Sequence, residues 1–160
     1  MDFSRHYRDS TCDLLEQFVD ASDTLISKTP VDAFFHALST HDFCVILPGD
    51  TASTSKLFKA IFSMCIPVVF VNYNRQLPFS RILDWEKFSI LEPVESSKSK
   101  NKIQDLMEKL RSLRSNETAL LNMKNALKNA APLFDYDRTS WPSVYHLTLL
   151  ELELFSKLSG

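Results

Sequence analysis

Glycine is almost missing from this sequence. There are two in 160 residues, and Gly160 is the last of them, so Gly49 is the only glycine inside the chain. A lone glycine in a turn marks a place where the backbone needs a positive φ or a close approach to a ligand. Positive charge is not in excess either: 18 Lys and Arg against 20 Asp and Glu give a net charge of −2. That balance argues against a large basic footprint for nucleic acid. No apolar run approaches the ~20 residues that a membrane helix needs, and the polar start MDFSRHYRDSTCD lacks the apolar core of a signal peptide. The cysteines Cys12, Cys44 and Cys65 have no CxxC spacing, which speaks against a metal or redox site. Their odd number excludes a framework in which every cysteine is paired. Cys44 and Cys65 lie in apolar runs and read as small buried hydrophobes. What is present is ordinary for a globular protein, with 44% hydrophobic and 24% charged residues. The length suits one compact domain burying roughly two-thirds of its unfolded surface.

Short apolar runs alternate with helical periodicity, which predicts an α/β fold. Leu14, Leu15, Phe18, Val19 and Leu25 place an amphipathic helix over Ser10 to Ile26. A second helix follows Pro30, with Val31, Phe34, Phe35 and Leu38 on one face and proline in the first turn. The run Phe43 to Leu47 is a buried strand closed by Pro48-Gly49-Asp50. Ser53 or Thr54 caps a helix carrying Leu57, Phe58, Ile61 and Phe62. Ile66 to Val71 lacks alternation, as expected of a parallel strand covered on both faces. Asn72 to Phe79 is a loop, and Phe88 to Leu91 a third short strand. Residues 95–102 read as a solvated linker or helix lead-in. Helices follow near Lys102 to Leu113, Glu117 to Ala130, and Ser143 to Leu158. Asn116-Glu117-Thr118 fits the glycosylation acceptor pattern, a triplet common by chance.

The chemistry concentrates in the strand–turn–helix–strand DFCVILPGDTASTSKLFKAIFSMCIPVVFVN. A parallel β-α-β unit sets the helix N-terminus beside the carboxyl end of its first strand. Unpaired N–H groups and the helix dipole favour anions there. Gly49 permits close approach, and Thr51, Ser53, Thr54 and Ser55 offer hydroxyls. Lys56 falls in the first turn, where a cation opposes the dipole unless an anion such as a diphosphate is bound. On these residues alone a serine-rich cap with a surface lysine competes with a phosphate site.

The ordered set Phe43-Cys44, Pro48-Gly49-Asp50-Thr51, Ser53, Lys56-Leu57-Phe58, Ala60-Ile61, Cys65-Ile66-Pro67-Val68, Leu77-Pro78-Phe79, Ile82-Leu83-Asp84-Trp85 and Phe88 resembles the exostosin-like glycosyltransferase family. The resemblance implies a Rossmann-like parallel sheet flanked by helices, forming the C-terminal, donor-binding half of a GT-B-type glycosyltransferase with a helical C-terminal tail. It implies one domain over 1–160, with a family core at 42–92, a tail at 100–158 and no acceptor domain. The substrates implied are a nucleotide-sugar, in UDP-linked form, and a growing glycan acceptor. No other cofactor or metal is implied, and any membrane link would run through a segment outside this chain, in a Golgi enzyme. By position, Gly49, Asp50, Thr51, Ser53, Thr54, Ser55 and Lys56 would face the donor diphosphate. Asn72 would stand at the loop closing one side of the donor pocket.

The sequence departs from the family pattern at four places. Lys56 stands for an arginine and loses the bidentate fork to phosphate. Lys59 stands for an acidic residue, Met64 for a glycine whose turn its bulk would crowd, and Asn72-Tyr73 for Ser-Asp. No catalytic residue is identified: His6, His36, His41 and His146 are candidates by type only. Asp84 shapes a turn and Trp85 anchors the core. An inactive descendant kept as a binding module, and an unrelated phosphate-binding α/β domain, are the competing readings.

Overall fold

The structure, a computed structural model, describes residues 24–25, 38–47, 54–72 and 77–158. Among these residues four strands form one all-parallel sheet in the order β1-β2-β3-β4: Thr24–Leu25, Phe43–Ile46, Ile66–Val71 and Ile90–Pro93. Phe43, Cys44, Val45 and Ile46 of β2 are all buried, as are the first five residues of β3. That continuous burial explains why neither run alternates. Pro67 has no N–H to donate, and it is tolerated inside the sheet because of register. It faces Cys44 of β2, while pairing with β4 starts only at Val68 opposite Ile90. The helix α1, Ser55–Phe62, returns the chain from β2 to β3 and buries Leu57, Ala60 and Ile61.

Beyond β4, a 3-10 helix at Val94–Lys98 leads into α2, Lys100–Ser115, and α3, Glu117–Ala130. Ile103, Leu106, Met107 and Leu110 of α2 enter the core with Leu127 and Ala130 of α3. At the amino end of β2, the Asp42 carboxylate pairs with Lys124 of α3 and with Arg114 of α2, the latter at 3.5 Å. This node ties the helical hairpin to the sheet at the edge opposite the site. A last helix, α4, spans Val144–Leu158 and buries Val144 and Leu147. Among the described residues no helix is long and apolar enough to cross a membrane.

Three sequence expectations change. The amphipathic helix over Ser10 to Ile26 fails at its end, since Thr24–Leu25 is a strand paired with Phe43 and Cys44; the rest lies outside the described residues. Leu25 completed an apolar stripe by spacing, but pairing with β2 decides its backbone. Residues 95–102 do lead into a helix, but they are not a solvated linker: Ser96 and Ser97 are buried inside the 3-10 helix, and Ser97 Oγ donates to Val94 O at 2.6 Å. Cys44 and Cys65 are buried as expected, yet they are joined in a disulfide with Cα atoms 5.8 Å apart. Register brings them together: Cys44 faces Pro67, so Cys65 lies just before β3 and beside β2.

Candidate functional site

The carboxyl edge of a parallel sheet is where α/β folds bind ligands, because helix N-termini gather there. At that edge α1 begins. Thr54 is its N-cap, with extended backbone angles and no capping bond from its side chain. Its Oγ1 is the one buried side-chain polar atom without a hydrogen-bond partner among the described residues. Leaving such a hydroxyl unpaired costs about 1–3 kcal/mol. Ser55 opens α1 in an exposed position, and Lys56 follows half-buried in a first turn that holds no acidic residue. Asn72 comes directly after β3 and is exposed at the same edge. The structure thus gathers Thr54, Ser55, Lys56 and Asn72 on one edge. Gly49, Asp50, Thr51 and Ser53, like His6 and His36, lie outside the described residues.

The far end of α1 accounts for one departure from the family pattern. Met64 adopts φ 59°. Its N–H reaches Ile61 O at 3.1 Å, and the Cys65 N–H reaches Ala60 O at 3.0 Å. This pair of bonds closes a helix through a left-handed residue, the position where glycine is favoured. The burden at Met64 is therefore the backbone conformation rather than the crowding expected, since its side chain packs half-buried against the core. Lys59 occupies the last turn of α1, where a cation suits the dipole better than the acid it replaces.

The segment Leu77–Phe79 is held in place by aromatic packing. Trp85 is buried, and its Nε1 donates to Pro78 O at 2.9 Å. Phe134, brought in by the 3-10 helix Ala131–Phe134, has ring centroids 5.8 Å from Phe58, 6.0 Å from Phe79 and 5.6 Å from Trp85. One ring therefore joins α1, the loop and the turn at Trp85. Asp84, exposed, pairs with Lys87 at 3.4 Å and accepts the Lys87 N–H through its carbonyl, so it shapes the turn as expected.

Against the outer side of this loop lies a groove of about 410 Å³, lined by Leu77, Pro78, Arg81, Thr148, Glu151 and Phe155 among others. The Arg81 guanidinium lies 5.5 Å from the Phe155 ring centroid. The sequence carried no sign of this groove, because its walls are about seventy positions apart and meet only through the packing of α4. Of the remaining histidines, His41 contacts Thr40 at 3.1 Å on the surface. His146 contacts the buried Ser143 Oγ at 2.7 Å and lies edge-on to Trp141, with ring centroids 4.4 Å apart. Both stand away from α1's N-terminus in the chain and make local contacts.

Comparison with known proteins meets this geometry. The exostosin GT47 domain matches residues 4–107, well over half of the chain. The chain is 28% identical over 153 residues to probable arabinosyltransferase ARAD1 of Arabidopsis thaliana, covering 88% of this chain and 33% of that protein. It is 34% identical over 68 residues to exostosin-2 of Homo sapiens, covering 42% of this chain and 9% of that protein. A probable glycosyltransferase of Arabidopsis thaliana is 42% identical over 48 residues, 30% of this chain and 10% of the relative. The chain spans a third or less of the curated relatives it matches.

Proposed function

The chain belongs to the exostosin GT47 family, and from that premise we propose that it is the donor-binding part of a glycosyltransferase that takes a UDP-linked sugar and extends a glycan. In this reading it is the C-terminal half of a GT-B-type enzyme, and the acceptor half is supplied by further polypeptide. The observation that carries the proposal is Thr54 Oγ1, buried and unpaired at the N-terminus of α1. A diphosphate oxygen is an acceptor that would satisfy it, together with the first N–H groups of α1. Lys56 supplies the positive charge, and the bound anion removes its conflict with the helix dipole.

Each residue then has a role in binding. The N–H groups of α1 and the hydroxyls of Thr54 and Ser55 hold the diphosphate. Gly49, Asp50, Thr51 and Ser53 precede Thr54 in the sequence, and Asn72 stands at the same sheet edge as Thr54. Leu77 and Pro78 form one wall of the groove closed by α4. The Cys44–Cys65 disulfide favours an oxidising compartment, which agrees with a Golgi-lumen enzyme.

Calorimetric titration of the chain with UDP tests the proposal. Binding is expected, and Lys56→Ala weakens it about tenfold, a loss of ~1.4 kcal/mol suited to one charge-assisted contact. Equal binding by Lys56→Ala would displace the diphosphate from this turn. Absence of heat at millimolar UDP removes the donor site altogether.

A further inference from the structure

Asn116-Glu117-Thr118 is the only Asn-x-Ser/Thr triplet in the chain. The structure adds to the bare pattern. Asn116 alone joins α2 to α3, Glu117 and Thr118 open α3, and all three residues are exposed. Asn116 ends one helix and starts the next. Its N–H reaches back to Ser112 O and Leu113 O, each at 3.2 Å, and its Oδ1 accepts from the Ala119 N–H at 3.1 Å. The partner is a donor, so the amide atom facing α3 must be the oxygen. A carboxamide is planar, so Nδ2 leaves Cγ on the other side and points away from those N–H groups. The disulfide between Cys44 and Cys65 supplies the setting, an oxidising compartment in which such triplets meet the glycosylation machinery.

We infer that Asn116 is an N-glycosylation site. In the transfer, Nδ2 bonds to the anomeric carbon of a lipid-diphosphate-linked oligosaccharide. The bond from that carbon to the diphosphate oxygen breaks, the lipid diphosphate departs, and one Nδ2 proton passes to the transferring enzyme. Thr118 supplies the hydroxyl that the acceptor pattern requires. Oδ1 takes no part, so the cap of α3 survives: glycan and cap use different atoms of one amide. A glycan here stands at the tip of the α2–α3 hairpin. The inference rests on the lumenal setting proposed above and is independent of the nucleotide site.

The test expresses the full chain through the secretory pathway of a eukaryotic host. The product is digested with an amidase that releases N-linked glycans and is then read by mass spectrometry without reductant. The expected result is the loss of one glycan's mass, with Asn116 converted to Asp and the Cys44–Cys65 bond intact. Asn116→Asp and Thr118→Ala lose the glycan but keep an acceptor at the cap, so their unfolding temperature matches that of the deglycosylated chain. Asn116→Gln loses both and unfolds a few degrees lower. A disulfide-bonded wild-type product with Asn116 unmodified overturns the inference, as does a glycan that persists in Thr118→Ala. UDP titration of the same material reads the donor site separately.

Discussion

At Thr54 one atom opposes stability and, in the function proposed above, serves binding. Its hydroxyl is buried without a partner, and its backbone already sits in the extended conformation that starts α1. Valine keeps the same shape and removes the orphaned oxygen. No capping bond is lost, because the threonine side chain makes none. Thr54→Val is therefore expected to raise the unfolding free energy by about 1 kcal/mol in urea. On the function proposed above, the same substitution is expected to weaken UDP binding, since the ligand loses the group it would satisfy. A variant that gains no stability, or binds UDP unchanged, sinks this account of Thr54. The sequence offered Ser53 or Thr54 as the helix cap; the structure selects Thr54 and shows that the cap is unfulfilled. Met64 gives a comparable lesson: the missing glycine was visible in the sequence, while its φ of 59° explains why glycine belongs there.

At the scale of elements, strands β2 and β3 and helices α2 and α3 were legible because their apolar patterns are consistent with one structure each. Ile66–Val71 and Glu117–Ala130 end where the sequence put them. What was hidden depends on partners remote in the chain. Thr24–Leu25 became a strand by pairing with β2, and Phe134 joins three elements through ring contacts that no local pattern announces. Helix α4 was read in place, but its environment was not. Val144 and Leu147 are buried, whereas Leu149 is 66% exposed and Leu152 60%. A helix apolar on both faces is normally covered. The pair Leu149→Glu and Leu152→Glu is expected to reduce binding of a hydrophobic dye and raise solubility. Both sites are surface positions and Glu is a good helix former, so the unfolding free energy should stay within about 0.5 kcal/mol. A large loss of stability would mean that these leucines are covered in solution.

For the whole molecule, the Cys44–Cys65 bond closes a loop with a sequence separation of 21 that contains α1 and the entire proposed donor turn. Cross-linking a loop of that size stabilises a fold by about 3 kcal/mol, mainly by restricting the unfolded chain. Cys44→Ala with Cys65→Ala should lower the urea midpoint accordingly, and alanine avoids burying a new hydroxyl at either site. Unfolding that is insensitive to both the double variant and reductant would show that the bond contributes nothing.

The strand order β1-β2-β3-β4 has a further consequence. The described strands wind in one direction, so among them there is no reversal point of the kind that opens a two-walled crevice in doubly wound folds. A nucleotide resting on the edge at Thr54 would be gripped from one side. Its residence time on this chain alone should be short, and a second polypeptide wall closing over that edge would lengthen it without any new contact from α1.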